Sequence, residues 1–225
     1  MVKGGWVRQS TVYALTMLSV VGIVLVGCAR LPYTTKVVYE GPQVKVALQH
    51  EVKSAGYSHP VQLTAQEVTA ILRGFSLREE QRLPLRWFAE ETAPKQLFRE
   101  DELARLCSYL VDGLRAAGPN ERVHFALFAP GMNPADARSV TAGWIAVREP
   151  YLYLGMEYFH TEVPIRTNDN YYQNYPLLPP EPKTYLLFFE PGRFWVMDQT
   201  GTRGLEYRQF LKAVPVNGAP GTSSP

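Results

Sequence analysis

Val44, Val46 and Leu48 alternate with Lys45, Ala47 and Gln49, the period of two of a half-buried strand. Strand is expected across Lys36–Val52, divided into two runs by Gly41-Pro42. The period then changes. Thr64 and Glu67 have the S/T-x-x-E spacing of a capping box, and Val68, Ile71, Leu72 and Phe75 follow on one face of a helix. Gly74 and Ser76 mark its end. Residues 77–98 are irregular: Arg78, Glu79, Glu80 and Arg82 precede Pro84, Trp87 and Phe88, and a strand or a crossing segment both fit. Leu103, Leu106, Cys107, Leu110, Val111 and Leu114 form the longest stripe. Glu100, Asp101 and Glu102 fill its first turn, where the helix dipole favours acids, and Gly118-Pro119 stops it.

The second half of the chain reads as strands. Val123–Ala129 is one. Arg138–Val147 and Tyr151–His160 resemble a hairpin about Arg148-Glu149-Pro150. Thr184–Phe189 and Phe194–Asp198 are expected to form a second hairpin, with Pro191-Gly192 at its corner. Leu205–Ala213 suits a short last helix. The pattern predicts an α+β fold, an antiparallel sheet built from hairpins with two or more helices packed on one face. The expected domain runs over 36–213, and 214–225, rich in Pro, Gly and Ser, is expected to be a disordered tail. Glu162–Lys183 is a long segment rich in Asn, Tyr and Pro, of a length that is often functional or disordered inside a compact domain.

The N-terminus follows a different rule. Lys3 and Arg8 precede an apolar run, and no residue between Arg8 and Arg30 is charged. A basic start, an apolar core and small residues at the cut describe a secretory signal. A run of roughly 20 apolar residues also suffices to span a bilayer, so an uncleaved anchor helix is the rival. Leu25, Val26, Gly27 and Cys28 separate the two. They resemble the lipobox of bacterial lipoprotein precursors. The resemblance implies that Leu25, Val26 and Gly27 are read by the signal peptidase and that residues 1–27 are removed. It further implies that the Cys28 thiol is alkylated by a diacylglyceryl group and that its new amine is acylated. Residues 28–35 then form a lipidated tether. Stable anchoring takes two lipid signals, which two or three chains on one residue supply. In the proteins resembled, Asp after the cysteine favours the inner membrane; Ala29 leans towards the outer membrane.

Charge removes other classes of partner. The chain has 23 Lys and Arg against 21 Asp and Glu, and without Lys3 and Arg8 the counts are equal. A neutral surface gives no electrostatic case for nucleic acid or for a polybasic membrane contact. With Cys28 assigned to lipid, Cys107 has no partner for an internal disulfide. The core must therefore be hydrophobic, and the 12% aromatic content can supply it.

No sequence pattern carries catalysis. His50, His59, His124 and His160 lack metal-ligand spacing, and His160 with Glu162 reads as an ordinary strand end before it reads as an ion site. Ser58 adjoins His59 in a stretch that suits a turn into the first helix. Cys107 lies within an apolar stripe and reads as a small hydrophobe. Glu79-Glu80 and Glu90-Glu91 read as solvated charge rather than as a glycosidase pair. No G-x-S-x-G elbow and no Gly-rich phosphate loop occurs. The remaining lead is Tyr171, Tyr172 and Tyr175 beside Asn168, Asn170 and Asn174, a composition seen in recognition loops; covering a sheet edge is the alternative.

The body resembles envelope lipoproteins of unassigned function at Gly56–Pro60 and at Thr141-Ala142-Gly143, and no residue role follows from that. The expected protein is a non-enzymatic, periplasm-facing lipoprotein that binds or scaffolds envelope components. Its expected partners are the membrane, through the chains on Cys28, and an envelope protein or glycan; no cofactor or metal is expected. An envelope hydrolase or carbohydrate-modifying enzyme, and a small-ligand carrier with a pocket beside the sheet, remain open as alternatives.

Overall fold

β1 (Tyr33–Glu40) and β2 (Val44–His50) are antiparallel, and Gly41 N donates to Val44 O at 2.8 Å to close the turn between them. The break at Gly41-Pro42 is therefore a hairpin. These strands open a computed structural model that describes residues 32–79, 93–135, 137–165 and 184–214. All of them lie in the unit Pro32–Pro225. Among them no helix is long and apolar enough to cross a membrane.

β2 continues through β5 (Glu121–Pro130), β6 (Ala137–Arg148), β7 (Tyr151–Pro164), β10 (Arg203–Leu205) and β9 (Trp195–Met197). With β1 at the other edge they make a seven-stranded antiparallel sheet, order β1-β2-β5-β6-β7-β10-β9. A second sheet orders β4 (Lys95–Gln96), β3 (Phe75–Glu79) and β8 (Tyr185–Phe189) as β4-β3-β8. The described fold is mostly antiparallel sheet with three helices, and neither sheet closes into a barrel.

The helices follow their sequence signals. α1 (Ala65–Arg73) begins at Thr64, whose Oγ1 accepts from Glu67 N at 3.2 Å while Glu67 Oε2 accepts from Thr64 N at 2.7 Å. α2 (Glu100–Ala116) buries the stripe Leu103–Leu114. Its first-turn acids have separate tasks. Glu102 is 4% exposed and accepts from Arg99 N at 2.9 Å and Arg99 Nη2 at 3.0 Å. Glu100 accepts from Arg73 Nε and Nη2, both at 2.7 Å, and so ties α2 to α1. Gly113 faces Val123 so closely that a side chain there would strike it. α3 (Tyr207–Ala213) begins two residues later than its pattern suggests, because Leu205 ends β10.

One face of the large sheet carries the core: Val46 and Leu48, Val123 and Phe125, Ile145 and Val147, Leu152 and Leu154 pack with residues of all three helices. Ala126, Val140 and Ala142 form a smaller apolar cluster that contains no helix residue.

Further expectations change: β1 already begins at Tyr33 rather than at Lys36, and β7 runs on to Pro164 rather than ending at His160. Phe75 matches the helical spacing, yet it opens β3 and is fully buried against Phe189, ring centroids 4.9 Å apart. The helix stops at Arg73, and Gly74 N bonds back to Ile71 O. The second hairpin does not form. β8 pairs with β3 from Phe75↔Phe189 to Glu79↔Tyr185, and β9 pairs with β10. Pro191 leads into a 3-10 turn, Gly192–Phe194, that carries the chain from one sheet to the other. Both strands are apolar, and Phe189 and Trp195 both pack on the Phe75 ring of a distant strand.

Candidate functional site

Leu25, Val26, Gly27 and Cys28 lie outside the described residues, as do Tyr171, Tyr172 and Tyr175. Glu80, Glu90 and Glu91 also fall outside them. The structure does place the four histidines, Cys107 and Ser58.

Ser58 and His59 act on the backbone of β6 and its turn. Ser58 Oγ accepts from Glu149 N at 2.9 Å, and His59 Nε2 accepts from Val147 N at 2.9 Å. An accepting Nε2 puts the proton of the neutral ring on Nδ1, which has no hydrogen-bond partner. Burial pushes His59 down from 6.5 to about 4. Cys107 is buried in α2, and burial pushes its thiol up; it packs as the small hydrophobe its stripe implies. His50 stacks on Tyr33, centroids 5.4 Å apart.

His160 sits at a bulge. Val140 pairs with Thr161 and Ala142 with Tyr158, which leaves Phe159 and His160 opposite Thr141 alone. His160 takes φ 45°, the one described non-glycine residue in the left-handed region. Its N–H donates to Thr141 Oγ1 at 3.3 Å. Beside it a cavity of about 10 Å³, the size of one water, is lined by Glu102, Thr141, Ser139, Arg99 and Gln43. Burial lowers the His160 pKa; Glu102 opposes that, and Arg99 and Lys95 add to it. Glu162 is elsewhere: it accepts from Met132 N at 3.1 Å. The neighbours in sequence are thus separated, while Glu102, 58 positions earlier, is brought to His160. No group of three or more metal-ligating side chains occurs among the described residues.

His124 belongs to a network on the sheet face opposite the one that packs on the three described helices. His124 Nε2 stands 3.1 Å from Glu157 Oε2. Arg122 reaches Glu157 at 3.5 Å, Glu51 at 3.4 Å and Gln49 Oε1 at 3.0 Å, and its guanidinium lies 5.0 Å from the centre of a Trp144 ring. Tyr57 donates to Glu51 at 3.2 Å. The hydrogen bond from His124 is the largest of the effects that lower the Glu157 pKa. Sequence spacing hides this cluster, since its members come from β2, β5, β6, β7 and the loop after β2. Each charge is met by an opposite charge or an amide, which fixes a frame.

An open cleft of about 390 Å³ lies along β8, lined by Leu154, Leu187, Phe188 and Trp195 with Arg78 and Arg203. Trp195 Nε1 donates to Leu187 O at 3.3 Å, and Tyr185 Oη accepts from Phe159 N at 3.0 Å, which hold the walls in place. The sequence shows these residues only as apolar strand positions. What joins them is the crossing between sheets at Pro191–Phe194.

Comparison with models of protein families, with curated proteins and with solved structures finds no match to the chain.

Proposed function

We propose that the chain is a bacterial cell-envelope lipoprotein, held in the membrane by acyl chains on Cys28 and facing the periplasm, the outer membrane being favoured by Ala29. Its role in this reading is non-enzymatic: it binds or scaffolds an envelope protein or glycan. The observation that carries the reading is the run Leu25-Val26-Gly27-Cys28 at the end of an uncharged apolar stretch, with only Ala29–Pro32 between Cys28 and the first strand.

The sheet supports a division of labour. Tyr33 pairs with His50, and His50 with Glu121; at the other end of β5, Pro130 pairs with Arg138, which pairs with Val163. The chain thus enters the sheet at one end of the strands, and the segment 166–183 departs after β7 at the opposite end. Tyr171, Tyr172 and Tyr175 in that segment are the proposed partner-binding residues. Helices on one face of a hairpin-built sheet, as the sequence pattern has it, are supported by the contacts of α2 with β1, β2 and β5. A second reading, a small-ligand carrier, is favoured by the cleft along β8.

The test is metabolic labelling with a fatty-acid analogue. Wild type is expected to take up label and sediment with membranes. Cys28→Ala is expected to lose the label and to be released or misprocessed. Equal label on the two proteins overturns the reading.

A further inference from the structure

The cleft along β8 joins two kinds of surface. Leu154 and Trp195 belong to the buried core, whereas Leu186, in the same lining, is 41% exposed. The apolar interior therefore reaches solvent here. β8 is the terminal strand of its sheet among the described residues, so its side chains line the cleft from both faces: Tyr185 and Leu187 from one, Leu186 and Phe188 from the other.

Two guanidinium groups share this apolar lining. Arg203 pairs with Met197 while Leu205, two residues on, pairs with Trp195. The period of two puts Arg203 on the sheet face that buries Leu205 and Trp195. It stands where the core stripe would continue. Arg78 lies over the Phe188 ring, 5.6 Å from its centroid. The carboxylate of Asp198 in the turn beyond Met197 is occupied, accepting from Tyr153 Oη at 2.7 Å and from the N–H groups of Thr200 and Thr202.

We propose that this cleft binds a single-chain anionic amphiphile. Its alkyl chain lies against Leu154, Leu187 and Phe188, and its carboxylate or phosphate head meets Arg203 and Arg78. The volume, about 390 Å³, lies in the range of small-ligand sites, which combine an apolar lining with a few placed polar groups. A guanidinium offers a planar fork of donors that matches carboxylate and phosphate oxygens. Buried methylenes give affinity and the arginines give the sign of the head group. The same chemistry is present in a fatty acid and in a phosphorylated single-chain lipid. The site stands whether or not Cys28 carries lipid.

The experiment is photocrosslinking of the full-length protein in native membranes. The probes are dodecanoate and dodecyl phosphate, each with a diazirine near the chain end. Tryptic cleavage after Arg148, Arg166, Lys183, Arg193 and Arg203 isolates peptides 149–166, 184–193 and 194–203, the last running to Arg208 in the Arg203 variants, and label is expected on these three. Unlabelled probe is expected to compete, and dodecyltrimethylammonium is not. Arg203→Glu and Leu186→Glu, both exposed substitutions, are expected to cut labelling at least about tenfold, the scale of a lost charge-assisted hydrogen bond, with the melting temperature unchanged. If Arg203→Glu lowers that temperature, Arg203→Gln supplies the same readout. Preference between the two probes assigns the head group as carboxylate or phosphate. Equal labelling of the variants, equal competition by the cation, or label spread over other peptides overturns the proposal.

Discussion

His59 is the residue whose chemistry most exceeds its sequence context. It looks like part of a turn, yet the residue is 6% exposed and its ring accepts a hydrogen bond from a backbone N–H of β6. Folded, it titrates at about 4 against an ordinary 6.5. Between those values the unfolded chain binds a proton that the folded chain refuses, so stability rises with pH across that interval. The contribution is complete above pH 6.5 and is lost as the pH falls to 4, on the order of 3 kcal/mol in all. Urea denaturation at several pH values is expected to show this slope. His59→Leu is expected to flatten it and to cost about 1–3 kcal/mol at pH 7, because Val147 N–H loses its acceptor. An unchanged slope in the variant would assign the acid sensitivity to another group.

At the scale of elements, local signals succeeded where one segment's own chemistry decides. The capping box at Thr64 and Glu67 is present as read, and Thr64→Ala is expected to lower stability by about 1 kcal/mol in chemical denaturation. A change within error would mean that tertiary packing alone holds the start of α1. The stripe of α2, the β1–β2 break and the β6–β7 hairpin were legible for the same reason: period and turn residues are local. Illegible were the features set by distant partners. Phe189 and Trp195 could satisfy a hairpin with each other's strands, and nothing in the intervening Glu190–Phe194 shows that both turn instead to Phe75. Glu102 was visible as a first-turn acid, but not as a buried neighbour of His160. Arg122, His124 and Glu157 were invisible as a cluster because strand pairing, not spacing, assembles them.

For the molecule as a whole, the sheet gives two ends with different neighbours in sequence. One end receives the chain from Cys28, and the other sends out the segment with Tyr171, Tyr172 and Tyr175. Changing these three to Ser is expected to leave the melting temperature unchanged and to weaken crosslinking to envelope partners in native membranes. A large fall in melting temperature would show instead that the rings are core. The cleft along β8 adds a ligand site to this plan without depending on it. Its walls are fixed by strand pairing, while the proposed anchor rests on four residues at the end of an apolar run.

Everything about location depends on the chemical state of one sulfur atom. Intact-mass and peptide mass spectrometry of the protein extracted from membranes measures it directly. The account predicts a mature chain that begins at Cys28 and carries a thioether-linked diacylglyceryl group on that residue. A free Cys28 thiol with residues 1–27 still attached would contradict it.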